Sequence, residues 1–234
     1  MFLNDQKTNP VSFRIGILKI WDSNLQKYGK YFKPYSLILH LQLQAFNYFS
    51  RLFSKNNLYI DYINWLFTNH GLVINIISYN NVSQELISKN ILDKKLLSIL
   101  HYWFHLPVSV FLFNQQVWYN SASLISNYVS KCLVYGFPIK KTLQNTCKIL
   151  QGEVDTKKLI YSKNGLNVIS LDGFKIQFSG CFDSTRTQMA KTIQYSHGSV
   201  PLTRAQGYVE YSYQQIFTKY GTCGLKIWIF YKIR

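Results

Sequence analysis

The sequence is poor in acidic side chains. Its 234 residues contain 10 Asp and Glu against 26 Lys and Arg, which gives a formal net charge of +16. The carboxylates are also scattered, so their spacing predicts no cluster able to hold catalytic metal ions. A chain with this charge repels itself unless a polyanion neutralises it. The composition therefore favours nucleic acid, an anionic membrane or an acidic protein as the partner.

Long apolar runs are missing as well. A membrane-spanning helix needs about 18 consecutive apolar residues, and the nearest candidate, which begins at Leu106, is interrupted by Pro107 and by residues 114–116. Residues 1–10 have neither the apolar block of a secretory signal nor the Arg- and Ser-rich character of a transit peptide. Because Asn, Ile, Tyr, Phe and Lys are abundant while Ala is scarce, we expect a product of an A+T-rich organelle genome.

Metal-binding and catalytic motifs are absent too. The 4 cysteines are widely and irregularly spaced: Cys132, Cys147, Cys181 and Cys223. Without a C-x-x-C pair, this spacing favours free thiols in the core over a zinc or redox site. His101 and His105 lie one helical turn apart, but no carboxylate or cysteine lies nearby to complete a metal site. The sequence therefore nominates no catalytic residue.

Basic residues gather in two parts of the chain. Between residues 7 and 33 there are six basic side chains and one acidic side chain: Lys7, Arg14, Lys19, Lys27, Lys30 and Lys33 against Asp22. Residues 131–234 carry 15 basic and 5 acidic side chains, hence +10. Such an excess in an already basic chain favours phosphate contact over a merely solvated surface.

The first half of the chain mixes predicted helices and strands. Residues 13–20 are predicted to be extended, a helix is predicted from residue 35 (YSLILHLQLQAFNYFSRLF), and a strand from Gly71 (GLVINIISYN). The region from Val82 to Leu100 is predicted to be helical, with Ser83 as its N-cap.

The second half has a clearer pattern. Two helices are predicted, separated by Gly136 and Pro138. In the second helix Ile139, Leu143 and Leu150 face inward, while Lys141 and Lys148 share an exposed stripe with Asn145. The residues from 151 to 165 read as a polar connection. About four antiparallel strands follow, at GFKIQFSG, MAKTIQYS, GYVEYSYQQ and GLKIWIF, which predicts a two-layer α+β domain.

The strands place lysine opposite their apolar faces. In GLKIWIF, side chains alternate between an aliphatic face and a face with Lys226, Trp228 and Phe230. GFKIQFSG repeats this alternation with Lys175 and Gln177 outward. Such a surface suits a charged backbone, and Trp228 or Phe230 could stack on a base. For Trp228, packing in the core or at a protein interface is the favoured alternative.

Two blocks at opposite ends of the chain carry motifs in a fixed order. NPVSFRIGILKIWDS near the start is similar to the pattern N-P-x-x-x-R-x-G-I-x-K-x-W-x-S. GFKIQFSG is similar to G-x-K-V-x-V-S-G, AKT to A-R-T, GSVPL to G-x-V-P-L, and TKYGTCGLKIWIF to T-x-Y-G-x-x-G-x-K-V-W-I. These patterns are those of small-subunit ribosomal protein 3, and the chain resembles that family most strongly over residues 122–231.

The resemblance implies a two-domain α+β fold. Residues 1–120 would form a diverged KH-like domain preceded by a basic segment, and residues 121–234 a domain of two helices packed on a mainly antiparallel sheet of about four strands. The KH-like domain is expected to lack the G-x-x-G loop, because Gly71 is the only glycine between Lys30 and Tyr135.

The resemblance also implies a structural role with no catalysis and no cofactor. The protein would bind the 3′ (head) domain of small-subunit rRNA and line the mRNA path, beside ribosomal proteins of families 10 and 14, with families 4 and 5 as further candidates. It would have no membrane partner. A mitochondrial ribosome is the expected location, with an organelle-encoded gene, and a plastid ribosome is the alternative.

Pattern and resemblance together nominate particular residues. Those nominated for rRNA contact are Lys7, Arg14, Lys19, Lys148, Lys175, Arg186, Lys191, Arg204 and Lys226. Lys140 and Lys141 fall by register at the mRNA entrance. The family's Arg pair at that entrance falls on Gly136 and Phe137, so unwinding of structured mRNA is expected to be weaker or shared with other proteins.

Other functions stay open at this point. A peripheral protein that binds anionic membranes would need a long amphipathic helix with exposed apolar residues, and the helix of Lys141 and Lys148 is short. An organellar RNA-processing factor or maturase would need clustered carboxylates, which the spacing of Asp155, Asp172, Asp183 and Glu210 does not provide. Both are retained as alternatives to the ribosomal function.

Overall fold

The computed structural model describes residues 9–21, 35–68, 71–79, 94–162, 165–181, 189–205, 207–218 and 220–233. The chain divides into two compact units. Residues Met1–Trp21 and Tyr119–Arg234 form what we call the terminal unit, and Asp22–Trp118 form the middle unit. The described elements, in chain order, are α1 (Pro10–Arg14), α2 (Tyr35–Lys55), β1 (Tyr59–Phe67), β2 (Leu72–Tyr79), α3 (Lys94–Phe104), β3 (Val108–Gln115), a 3-10 turn (Trp118–Asn120), α4 (Ala122–Val134), α5 (Ile139–Gly152), β4 (Lys157–Ser162), β5 (Gly165–Gly180), β6 (Lys191–His197), β7 (Tyr208–Thr218) and β8 (Gly221–Ile233).

The described strands of the middle unit form one mixed sheet in the order β1-β2-β3. β1 is antiparallel to β2, and β3 is parallel to β2. Alternate residues of β2, such as Ile74 and Ile76, are buried in the same core cluster as Phe49 of α2 and Leu100 of α3. Full burial of one such side chain stabilises the fold by about 1.5–3 kcal/mol. This cluster therefore holds α2 and α3 on the apolar face of the sheet.

The helix predicted from residue 35 and the strand predicted from Gly71 are confirmed as α2 and β2. The helix predicted from Val82 to Leu100 is described from Lys94 onward, as α3, and Ser83 lies outside the described residues. The KH-like description of this unit stays a prediction.

β5 is the central strand of the sheet in the terminal unit. It pairs with β8 along one edge and with β4 and β6 along the other, while β7 pairs with the far edge of β8, and every pairing is antiparallel. Cross-strand pairs between β5 and β8 place buried apolar side chains on one face: Phe174–Ile229, Ile176–Ile227 and Phe178–Leu225. The Ser212 hydroxyl of β7 lies 2.8 Å from the Ser126 hydroxyl of α4, and Ser212 pairs with Ile227. Helix α4 therefore covers this apolar face.

The predicted α+β class with two helices and an antiparallel sheet is confirmed, but one strand of the terminal unit was missed, as were β1 and β3 of the middle unit. Residues 157–162, read as part of a polar connection, form β4 and pair with β5. The core side of β4 is occupied by Lys158 and Ser162 as well as Ile160. The apolar alternation of this strand is therefore too weak to be recognised in the sequence.

The extended segment predicted for residues 13–20 is also wrong. Residues Pro10–Arg14 form the short helix α1, whose N-cap Asn9 accepts a 3.0 Å hydrogen bond from the Val11 amide through its side chain. Proline at the first helical position favours this start, because its missing N–H has no helical partner to lose. Gly16 then turns the chain at a φ of +85°, a conformation that favours glycine.

The N-terminal segment, expected in the first domain of residues 1–120, groups in the structure with residues 119–234. Side-chain hydrogen bonds of Arg14 to the loop before β7 account for this placement.

Candidate nucleic-acid interface

The face of the terminal sheet opposite α4 carries the cations that the strand alternation predicted. The register aligns Lys175 of β5 with Trp228 of β8 and Tyr211 of β7. The next row aligns Gln177 with Lys226 and Tyr213. We call these six residues the lysine face. Tyr213 is exposed, and Lys175, Gln177 and Lys226 are half-buried, so the polar atoms of this face can meet an external partner.

Each lysine of this face lies over an aromatic ring. The Lys175 Nζ lies 5.6 Å from the ring centroid of Trp228, and the Lys226 Nζ lies 5.9 Å from that of Tyr213. A cation over an aromatic ring is held in place by about 0.5–1 kcal/mol at exposed sites. The ammonium groups are thus positioned before any partner binds, while their N–H donors can still reach phosphate oxygens.

Trp228 packs within the face and does not stand out from it. It is 8% exposed, and its ring lies 5.5 Å from that of Tyr211. Burial, followed by the influence of Tyr213, raises the pKa of the Tyr211 phenol above its usual value, so this ring stays neutral at physiological pH. The structure therefore favours the packing interpretation of Trp228. The exposed aromatic side chains of β7 are Tyr213 and Phe217, at 51% and 73%.

Helix α5 presents a second set of predicted cations. Its apolar residues Leu143 and Leu150 are buried, as predicted, whereas Ile139 is half-buried. Lys140, Lys141 and Lys148 are all exposed on this helix. Because α5 packs against α4 and β6, these lysines form a surface separate from the lysine face.

The structure corrects the prediction for Arg14, which is 2% exposed and cannot reach an rRNA phosphate from its position. Its Nε donates to the Gly207 carbonyl at 3.0 Å and its Nη1 to the Pro10 carbonyl at 3.0 Å. Its Nη2 contacts the carbonyl oxygens of Pro201, Leu202 and Arg204. Burial lowers the pKa of the guanidinium from its usual value, yet arginine remains protonated in proteins. Arg14 is therefore a structural clamp.

The remaining predicted contacts lie apart from one another. Lys19 is half-buried and forms a backbone bridge with Ile15, whereas Arg204 is exposed in the loop after β6. Lys191 is exposed at the start of β6, on the same side of that strand as Ile193, which pairs with Phe178 of the core face. Lys7 and Arg186 lie outside the described residues. The structure thus brings Lys175 and Lys226 together but does not join all the nominated residues into one patch.

Sequence reasoning missed one charged arrangement near the helices. The Lys158 Nζ lies 2.8 Å from a Glu210 carboxylate oxygen, and the other Glu210 oxygen accepts a 3.2 Å hydrogen bond from the Ala122 amide at the start of α4. A carboxylate at a helix N-terminus is stabilising. Glu210 therefore fixes α4 on the sheet, a role that only the fold reveals.

The described residues give no sign of a metal centre or of a spanning helix. Among them no group of His, Cys, Asp and Glu side chains could hold a metal ion. The ring of His101 instead contacts the Leu106 carbonyl at 2.7 Å. No helix within the described ranges combines the length and the apolar character needed to cross a membrane.

A basic α+β protein with cations on several surfaces fits the class of structural proteins that assemble on nucleic acid. The model of the family "Ribosomal protein S3, C-terminal domain" matches residues 150–229. The small ribosomal subunit protein uS3m of Chondrus crispus is 33% identical over 229 residues, which cover 97% of this chain and 93% of that protein. The uS3 protein of Vesicomyosocius okutanii is 25% identical over 230 residues, covering 96% of this chain and 87% of that protein. The chain belongs to the family of small ribosomal subunit protein uS3, and the resemblance inferred from its motifs is confirmed.

Proposed function

We propose that this chain is a structural protein of the small subunit of a mitochondrial ribosome, bound to the head domain of its rRNA. The observation that carries the proposal is membership of the uS3 family over nearly the whole chain, with 97% covered by the Chondrus crispus relative. That relative is named uS3m, a mitochondrial-type protein. The charge of +16 supports a polyanionic partner.

The lysine face is the surface proposed to contact rRNA. Lys175 and Lys226 are held over aromatic rings, so little side-chain freedom is lost when they meet phosphate. Contacts of this kind position a protein on folded RNA without reading its sequence. Neighbouring ribosomal proteins of families 10 and 14 would complete the binding site.

Helix α5 is proposed to line the mRNA entrance. Lys140 and Lys141 are exposed in its first turn. Gly136 and Phe137, which replace an arginine pair expected at this entrance, are also exposed. With lysines in place and the arginine pair missing, this edge would guide single-stranded mRNA and contribute less to unwinding it.

Co-sedimentation tests the proposed function directly. Mitochondria from the source organism are lysed, and ribosomal subunits are separated on sucrose gradients in high salt. We expect the native chain in the small-subunit peak, together with the small-subunit rRNA. Recovery in plastid ribosomes would place the chain in the other organelle. Recovery only at the top of the gradient, or with floated anionic liposomes, would refute the ribosomal function.

A further inference from the structure

A cleft of about 620 Å³ in the terminal unit takes no part in the surfaces described above. It lies between the turn that follows α1 and the loop of residues 199–205, over the last residues of β8. Ile17, Pro201 and Phe230 give it apolar walls, and Arg204 and Lys232 are exposed cations among its lining residues. Its size is within the range of about 300–1,000 Å³ that is usual for small-molecule sites.

Arg14 holds both walls of this cleft. Its guanidinium donates to the Pro201 carbonyl at 3.1 Å and so fixes the loop. Its own backbone carbonyl accepts from the amides of Ile17 and Leu18, at 3.3 Å and 3.1 Å, and so fixes the turn. One buried residue therefore spaces the two walls, and the cleft is preformed. A preformed site binds its ligand without an ordering cost.

The wall formed by Phe230 requires glycine at residue 207. A Cβ built there would lie 2.4 Å from Cε2 of the Phe230 ring, and the φ of Gly207 is +126°. The absent side chain leaves room for the Phe230 ring, which lines the cleft. Trp21, which is 64% exposed, lies against Gly16, one residue before Ile17 in the chain.

The charges around the cleft favour an anion. Arg204 and Lys232 are cations, whereas Asp172 is the acidic residue of the lining. The Ser199 hydroxyl donates to an Asp172 carboxylate oxygen at 2.8 Å, which partly satisfies that carboxylate. A ligand that matches this arrangement has a flat, weakly polar part for the walls and an anionic part for the two cations. A nucleotide has this shape, with its base and ribose on one side and its phosphate on the other.

We propose that the cleft binds one unstacked nucleotide of the small-subunit rRNA. The proposal rests on the proposed function, and it assigns the RNA a specific seat away from the lysine face. RNA-binding proteins recognise bases that are splayed out of loops and bulges by packing them against aromatic and apolar side chains. The base would lie against Ile17, Pro201 and Phe230, and the phosphate would lie near Arg204 and Lys232.

A cleft-filling variant tests this seat. Full-length protein with Ala205→Trp is compared with the wild type and with Thr203→Trp, because Ala205 lines the cleft whereas Thr203 is exposed in the same loop outside the lining. The probe is a transcript of the 3′ domain of the small-subunit rRNA, bound at several salt concentrations. We expect Ala205→Trp to lower the affinity about tenfold, as loss of one packed base does. The affinity of Thr203→Trp should be unchanged.

A second variant and a cross-link keep the test decisive if Ala205→Trp fails to fold. Lys232→Ala should reduce the slope of log affinity against log salt by about one, as loss of one phosphate contact does. A transcript that contains 4-thiouridine should cross-link to peptides with Ile17, Pro201 or Phe230.

Three outcomes would contradict these proposals. If cross-links are confined to β5 and β8 near Lys175 and Lys226, and the salt slope of Lys232→Ala equals that of the wild type, the cleft does not bind the nucleotide, and the proposed function stays intact. If Ala205→Trp binds RNA as the wild type does, but assembled subunits lose a neighbouring protein, the cleft binds a side chain of that protein. A wild-type chain that binds no rRNA would refute the proposed function itself.

Discussion

At the scale of single residues, Arg14 shows how a cation that looks like an RNA contact can be structural. Its position in the N-terminal motif predicted a phosphate partner, but its guanidinium meets backbone carbonyls from the loop before β7. A buried charge is stable only when it is hydrogen-bonded in this way. The sequence gives no sign of these acceptors, because they are 187 to 193 residues away in the chain.

We predict that Arg14→Met destabilises the protein by about 3 kcal/mol or more, because it leaves buried carbonyl oxygens without a donor. Urea unfolding followed by tryptophan fluorescence measures the free energy of unfolding. Arg204→Met is the matched control, since Arg204 is exposed and its loss should change stability by less than about 0.5 kcal/mol. Equal effects of the two substitutions would show that Arg14 is not a clamp.

Cys147 should make stability fall at alkaline pH. Burial raises the pKa of its thiol to about 11, against a small opposite effect of a hydrogen bond with Thr146. The unfolded thiol, with the ordinary value of 9.0, loses its proton first as the pH rises. The contribution of the protonated Cys147 thiol to stability is therefore complete below about pH 9 and is lost between about pH 9 and pH 11. The free energy of unfolding falls by about 2–3 kcal/mol in total.

Comparison of Cys147→Ala with the wild type isolates this titration from those of lysine and tyrosine. We expect the variant to be less stable at pH 8, because a buried group is removed, but to lose less stability up to pH 11. Parallel pH profiles of the two proteins would contradict the assignment. Alkylation of the native protein at pH 8 should spare Cys147 and the buried Cys223.

At the scale of secondary-structure elements, the parts that sequence alone predicted are those with strong periodicity. β5 alternates apolar and polar residues, β8 alternates aliphatic residues with Lys226, Trp228 and Phe230, and α2 repeats its apolar residues at helical spacing, so all three were recognised. β4 was missed because Lys158 and Ser162 occupy its core side, and α1 because a cap and a proline, with no apolar period, determine it. The lysine face followed from strand alternation, whereas the cleft depends on contacts between distant parts of the chain.

The connection between α4 and α5 allows a prediction about mRNA. Phe137 is 58% exposed, where an apolar side chain contributes little to the core. We predict that Phe137→Arg increases the ability of reconstituted small subunits to unwind a structured mRNA, since it restores one cation beside Lys140. A strand-separation assay on a hairpin mRNA measures this effect.

Phe137→Gln is the control for removal of the ring without added charge. Gly136 is unsuited to the same change, because its φ is +85° and a side chain there would be strained. If Phe137→Arg and Phe137→Gln behave alike, α5 does not act on mRNA.

At the scale of the whole molecule, charge is distributed over separate surfaces that would meet different nucleic acids. The lysine face lies on the side of the terminal sheet opposite α4, whereas the lysines of α5 belong to a helix that packs against α4 and β6. Each surface can therefore be neutralised without altering the other. The net charge of +16 changes by the same amount in either case, which makes the two sets matched controls for each other.

We predict that Lys175→Ala with Lys226→Ala reduces the slope of log rRNA affinity against log salt by about two, because each phosphate contact contributes about one. Lys140→Ala with Lys141→Ala removes the same charge, yet it should leave that slope unchanged and instead weaken cross-linking of the small subunit to incoming mRNA. Filter binding to the 3′-domain transcript measures the slopes. If both double variants lowered the slope equally, binding would follow total charge alone. The lysine face would then have no special role, since cations held over Trp228 and Tyr213 would act no differently from cations on a helix surface.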